Sequence, residues 1–384
     1  MKKQITGGNY MGTSKVYFTD LRAKSGDNLL NKLQRLIKTA GIGDIDFQDK
    51  YVAIKMHFGE PGNLAFLRPN YAKAVADVVK ELGGKPFLTD CNTLYVGGRK
   101  NALDHLDSAN LNGFNPMTTG CQILIADGLK GTDEALVPVE GGTYVKEAKI
   151  GRAVMDADIV ISLNHFKGHE AAGFGGALKN LGMGCGSRAG KMEMHSAGKP
   201  HVDQEKCIGC QMCAKICAHD APQFQNKKAS IDHNKCVGCG RCIGICPKDA
   251  ILSASDESND ILNCKIAEYT KAVIDGRPNF HISLVIDVSP YCDCHGENDA
   301  AIVPNVGMFA SFDPVALDVA CADAVNAQPV ISNSKLGDCS EEERACQHHD
   351  HFHSIFPDTN WESAIEHGVK LGIGNKEYEL ITVK

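Results

Sequence analysis

The sequence lacks several features that would settle a function class at once. No apolar run in its 384 residues is long enough to cross a bilayer, which takes about 20 consecutive apolar residues. No membrane span is therefore expected. Lysine and arginine are mixed with acids along the chain, and the net charge is -7. That excludes the clustered basic face of a nucleic-acid binder. Lys2 and Lys3 are followed by no apolar stretch, so the start is not a secretory signal and the first dozen residues read as a loose arm. Both nucleotide fingerprints are missing. GCGSRAGKM has the wrong spacing for a Walker loop and no Ser or Thr after Lys191, and GFGGALKN is not G-x-G-x-x-G. What remains is a cytoplasmic chain with room for two or three domains.

Cysteine, by contrast, is abundant: there are 17. Without a secretory signal, dense cysteine points to metal or redox chemistry rather than disulfides. Residues 207–217 read CIGCQMCAKIC, and residues 236–247 read CVGCGRCIGICP. Each is C-x2-C-x2-C-x3-C, the run of bacterial two-cluster ferredoxins. The second ends on Pro247, where the first has Ala218. Three thiolates two residues apart can wrap three irons of one cubane, and Gly209, Gly238 and Gly240 let the backbone turn tightly. The fourth cysteine of each run reaches the other cluster. One [4Fe–4S] cluster is therefore expected on Cys207, Cys210, Cys213 and Cys246, and a second on Cys236, Cys239, Cys242 and Cys217. Zinc ribbons pair two cysteines with a distant second pair, which the triple repeat argues against. Two adjacent clusters make a short wire, so electron transfer with a redox partner protein is expected. Oxygen damages exposed clusters, which suggests an anaerobic or microaerobic cell. VDQEKCIGC is echoed by IDHNKCVGC, so residues 200–254 read as a ferredoxin-type module of two like halves, inserted between core segments 1–199 and 255–384.

Outside the module, strand and helix patterns alternate. SKVYFTD, KYVAIKMHFG, KPFLTDC, CQILIADG, ADIVISLNHF, HISLVIDVSP and EYELITV read as strands. DNLLNKLQRLIKTAG, RPNYAKAVADVVKELGG, ILNCKIAEYTKAVIDG, DPVALDVACADAVNA and WESAIEHGVKLG read as helices, with Asp313 as an N-cap and Pro314 in the first turn. This is an α/β class: a mostly parallel sheet with helices on its faces. In open α/β sheets ligands bind beyond the carboxyl ends of the strands. Those ends carry Lys55, His57 and Glu60, then Asp90 and Cys91, then Asp127, then His165, Lys167 and His169, then Cys292, Cys294 and His295. Period-two alternation puts Lys55 and His57 on one face of their strand and Val52, Ile54, Met56 and Phe58 on the other.

Residues 164–191, rich in glycine and carrying three lysines, suit a phosphate or carboxylate site. The plainer reading is a long loop with special backbone angles, packed against the module. SPYCDCHGEND, residues 289–299, holds two soft thiols and an imidazole, which suit zinc, iron or nickel, or form a dithiol. Cys185 or His169 would complete such a third metal site, and a buried thiol pair beside a turn histidine is the alternative. CQHHDHFH, residues 346–353, offers further metal ligands but reads better as a solvated loop.

KMHFGEPGN, NHFKGHEAAGFGGALKNLGMG and GMFASFDPVALDVA together resemble the family called domain of unknown function 362, over nearly the whole chain. Many of its members carry an inserted pair of four-iron clusters. The resemblance implies an iron–sulfur protein and sets Lys55, His57, His165, Lys167, His169, Lys179 and Asn180 at the family's motif positions. YCDCH looks like a feature of a subgroup and receives no role from it. The function expected is a relay of electrons through two clusters to the strand ends. Lys55, His57, His165, Lys167, His169 and Lys179 would there bind a small anionic substrate or supply protons, or the electrons would reach a third metal. The competing expectations are a carrier that docks a reductase, and a non-redox enzyme with structural clusters.

Overall fold

Alternating strand-period and helix-period segments build one sheet between two helical layers. The description covers residues 12–95, 97–195, 199–253 and 258–384 of a computed structural model. The expected N-terminal arm lies outside the described residues, as do the segments 196–198 and 254–257 at the module's two borders.

The main sheet has eight strands: β1 (Ser14–Asp20), β2 (Tyr51–Lys55), β3 (Lys85–Asp90), β4 (Gln122–Ile125), β5 (Ile159–His165), β6 (Asn279–Val285), β7 (Gly307–Ser311) and β8 (Tyr378–Thr382). Their spatial order is β8-β1-β7-β6-β5-β2-β3-β4. Only β7 runs against the rest; it pairs antiparallel with both β1 and β6, and every other pairing is parallel. The carboxyl ends of β2, β3, β4, β5 and β6 therefore lie along one edge, as the sequence suggests.

All seven residues of β5 are buried, because helices cover both faces. Ile159, Ile161 and Leu163 pack with Leu33 and Leu36 of α1 (Leu29–Thr39) and Val75 and Val79 of α2 (Pro69–Glu81). Val160, one residue out of phase, faces the opposite core. That core holds Leu181 of α3 (Ala177–Cys185), Met194 of α4 (Arg188–His195), Ile266 of α5 (Asn259–Ile274) and Leu317 of α6 (Pro314–Asn326). Asp313 caps α6, accepting from the amides of Val315 and Ala316, each at 2.9 Å.

The glycine-rich centre is not the long loop of the plainer reading. It forms a small hairpin, Lys167–His169 with Gly173–Gly175, followed by α3 and α4. Nor do special backbone angles explain its glycines, since Gly173 alone has a positive φ there. Missing side-chain bulk is the reason. A Cβ at Gly182 would strike the Ile266 carbonyl, one at Gly176 the Asp318 carboxylate, and one at Gly184 the Lys55 ammonium.

Within the cysteine-rich segment, Pro200–Val202 pairs antiparallel with Ile251–Ser253, and Pro222–Gln225 with Lys228–Ile231. Short helices Met212–Ile216 and Arg241–Ile245 carry the third cysteine of each triplet. The sequence repeat is a structural one: φ is 66° at Gly209 and 71° at Gly238, and 48° at both Asp220 and Asp249. The segment leans on the main body through Leu94 and Met192, which share an apolar cluster with Cys207, Cys213 and Ile243.

Candidate active site

Lys55 closes β2 with 1% of its side chain exposed. A buried ammonium must be paired, and this one is. It lies 3.0 Å from Asp90 at the end of β3 and donates to Asn180 Oδ1 of α3 at 2.7 Å. Asn180 returns bonds to the carbonyls of Lys55 and Leu163, tying α3 across two strand ends. His57, on the same face, sits 2.8 Å from Arg99, whose Nε bonds Glu60 at 2.7 Å. Burial and the neighbouring charges of Arg99, Lys167 and Lys55 keep His57 neutral, well below the usual histidine range.

His165 ends β5 with both ring nitrogens facing acceptors: Asp293 at 2.8 Å and the Ile286 carbonyl at 2.8 Å. Lys167 approaches the same Asp293 at 3.5 Å. Burial works against charge on Asp293, but His165 and Lys167 hold its carboxyl far below the usual range. Both partners of Asp293 thus serve first to fix the Cys292–Cys294 loop against β5.

These groups surround a cavity of about 60 Å³, lined by Lys55, Arg99, Lys167, Lys179 and Lys191 against one carboxylate, Asp90. At about 10–15 Å³ per water, it admits a handful of waters or a small anion, not a nucleotide. Arg99 is 1% exposed, and its NH2 has no hydrogen-bond partner among the described residues. Cys292 and Cys294 form part of the wall. The two sulfurs lie within 4.8 Å of each other. The Cys294 thiol, with burial, pushes Cys292 up to about 12. The Cys292 thiol, with help from Lys179, brings Cys294 down to about 7 against the effect of burial. Lys179 Nζ lies 3.5 Å from Cys292 Sγ. Burial disfavours its charge, but Cys292, Cys294 and Glu170 outweigh that and raise its pKa.

A second chamber of about 350 Å³ adjoins the first and shares Tyr95, Lys179, Met183 and Cys294 with it. His169, Glu170, His195 and His295 also line it. Burial brings His169 and His195 each down to about 4, so both are neutral at pH 7.

The candidates from sequence divide as follows. Lys55, His57, His165, Lys167, Lys179, Cys292 and Cys294 meet at the first cavity, while His169 and His295 belong to the second. A ligand atom of His169 lies within 4.8 Å of both thiols, so this trio is the possible metal site. His295 instead turns to Glu170 at 2.7 Å. Cys185, at the end of α3, is fully buried beside Cys91, whose thiol donates to the Cys185 carbonyl at 3.3 Å. Neither joins the trio. Asp127 bonds Asn92 rather than the cavity, and burial lifts its carboxyl to about 6. The histidine run spans two short helices, where Asp350 and His353 come within ligand distance of Glu362. Sequence reasoning missed Arg99, Tyr95 and Asp293. Asp293 stood in view between two cysteines; Arg99 sits in a glycine loop that gives no signal.

Thiols of the insert influence one another across the two runs. Besides burial, Cys210 and Cys246 raise the thiol of Cys213, while Cys239 and Cys217 raise that of Cys236. The last cysteine of each run thus lies beside the triplet of the other.

Fold and site define an α/β protein with a cysteine-rich insert and a cationic, thiol-walled cavity at its strand ends. The chain belongs to the family described as domain of unknown function (DUF362), whose model matches residues 52–323. A thylakoid-associated protein of Synechocystis sp. is 29% identical over 177 residues, which are 43% of this chain. The match spans 49% of that relative's own length. Among solved structures, the lactate racemase apoprotein of Thermoanaerobacterium thermosaccharolyticum is similar at 12% identity and a TM-score of 0.43, covering 96% of this chain and 82% of that one. A Thermotoga maritima protein aligns with 14% identity and a TM-score of 0.39, over 77% of this chain and 58% of that one. No described helix is long and apolar enough to cross a membrane.

Proposed function

We propose that the chain is an iron–sulfur redox protein that passes electrons through two [4Fe–4S] clusters to the cavity at the strand ends, where a small anionic molecule is reduced. Residues 200–254 act as the ferredoxin-type domain, and 1–199 with 255–384 as the core. Cys207, Cys210, Cys213 and Cys246 hold one cluster, and Cys236, Cys239, Cys242 and Cys217 the other. When bound, the clusters supply one-electron transfer at low potential. The crossed arrangement of thiols supports this assignment. So does their spacing: a single zinc ion brings its sulfurs to about 4 Å from one another, whereas no three of these eight thiols fall among the described groups within 4.8 Å.

One observation carries the reading. Leu94 and Met192 pack against the cluster cysteines, and their chain neighbours Tyr95 and Lys191 line the cavity. The insert and the cavity therefore share a wall one residue thick along the chain. Arg99, Lys167, Lys179 and Lys191 bind the anion. Lys55 and Asp90 set the cavity's floor, and the neutral His57 and His169 handle protons. A redox partner protein loads the clusters in a reducing cytoplasm.

Anaerobic protein should contain about eight irons and as many sulfides. Clusters reduced with dithionite should be reoxidised by small organic anions only when the cavity is intact. Reoxidation by a partner protein alone, with no effect of Lys167→Ala and Lys179→Ala, would instead make the chain a docking carrier.

A further inference from the structure

We propose that Cys292 and Cys294 form a redox-active dithiol/disulfide pair whose outer sulfur, on Cys294, exchanges with a small anionic disulfide held in the second chamber. The inference rests on the relay reading for its source of electrons.

The two sulfurs lie within 4.8 Å of each other across a single residue. Their positions differ. Cys292 borders only the inner cavity, whereas Cys294 borders both the inner cavity and the 350 Å³ chamber. Cys294 is thus the sulfur a substrate meets, and Cys292 the one that resolves. Lys179 borders both spaces and lies 3.5 Å from Cys292 Sγ, so it attracts an anion and steadies a thiolate. His295 also lines the chamber, and its hydrogen bond to Glu170 raises its pKa and so favours its charged form.

Hydrogen bonding speaks against a metal at the same place. His169 Nδ1 accepts from the amides of Ala171 at 3.1 Å and Ala172 at 3.0 Å. A neutral imidazole with that acceptor carries its proton on Nε2. Neither nitrogen then has a free lone pair, whereas a metal-bound histidine donates from its second nitrogen to an acceptor. The Nε2–H is instead a donor.

The exchange balances as follows. The Cys294 thiolate attacks one sulfur of the substrate disulfide; that S–S bond breaks and one half leaves as a thiolate, which takes a proton. Cys292, having lost its proton, attacks the Cys294 sulfur, and the second half leaves. The substrate gains two electrons and the protein keeps a Cys292–Cys294 disulfide. Two electrons from low-potential one-electron donors, the class to which [4Fe–4S] clusters belong, and two protons restore the dithiol.

The test uses the full chain, purified without oxygen and with clusters intact. Dithiobis(nitrobenzoate), a disulfide with two carboxylates, is added, and the thiols are mapped by differential alkylation and peptide mass. A Cys292–Cys294 disulfide is expected, seen as a loss of two hydrogens. Cys292→Ser should trap the mixed disulfide on Cys294, and Cys294→Ser should leave Cys292 unmodified. The dicarboxylate should react roughly tenfold faster than uncharged dithiodipyridine, a preference that Lys179→Met removes. Should Cys294→Ser fail to fold by circular dichroism, trapping in Cys292→Ser carries the test. Recovery of both cysteines as free thiols would overturn the proposal. So would zinc, nickel or extra iron bound by the wild type and lost in Cys292→Ser. If the disulfide forms but reduced clusters never reopen it, the relay reading falls and the dithiol stands. If a small anion reoxidises the clusters equally well in the double variant, the dithiol falls and the relay stands.

Discussion

Asp293 bonds His165 and faces Lys167 at once, and its own charge depends on both. Removing that charge should leave the buried Lys167 without its counter-ion, at a cost of about 3–5 kcal/mol for Asp293→Asn in urea unfolding. The pH dependence has a definite sign. The folded pKa of Asp293 lies below its unfolded value of about 3.9, so its contribution is present above that value and is lost as pH falls toward the folded pKa. The gap between wild type and Asp293→Asn should therefore be full at pH 7 and narrow below about pH 4. The neighbouring thiol offers a kinetic check. Alkylation of Cys294 should reach half its maximal rate near pH 7, where its pKa of about 7 puts the midpoint. In Cys292→Ala, which loses the neighbouring thiol, the midpoint should move upward. At this scale the sequence revealed half of the cavity. Lys55 and His57 were legible because period-two alternation fixes which way a strand residue points, and Lys167 because it follows the carboxyl end of a strand. Arg99 was not, because only the folded loop brings its guanidinium to Glu60 and His57.

At the scale of elements, the strands and helices that alternate cleanly were readable, and the exceptions have physical causes. β7 is five residues, all buried, with apolar side chains on both faces, and nothing in such a run announces that it lies antiparallel between β1 and β6. α3 was hidden because two glycines in nine residues weigh heavily against helix. Packing overrides that preference: α3 lies so close to α5 that Gly182 faces the Ile266 carbonyl. Gly182→Ala should raise helix propensity and yet destabilise the protein by about 1–3 kcal/mol, because overpacking outweighs the gain. Chemical denaturation would show the sign. Asp313→Ala, which removes an N-cap, should cost about 1–2 kcal/mol by the same measurement. Its effect exceeds that of an ordinary cap because Asp313 Oδ2 also accepts from Ser14 at 2.6 Å and the Asn375 amide at 2.7 Å, linking both ends of the chain.

For the whole molecule, the central relation is between the cysteine-rich insert and the sheet edge. Crossed ligation predicts a specific loss. Cys217→Ser should cut iron to about half while sparing the set of Cys207, Cys210, Cys213 and Cys246. A loss of all iron would mean that the two halves do not assemble independently. The insert's first and last strands, Pro200–Val202 and Ile251–Ser253, run side by side. Its attachment points, His195 and Asn259, line a common chamber of about 350 Å³. Entry and exit are thus neighbours, and the sheet is built entirely from residues outside them. A cassette with paired ends can be lifted out or exchanged without rerouting the rest of the chain. The insert is therefore an evolvable part, and the same eight-stranded body can carry a different cassette at that point.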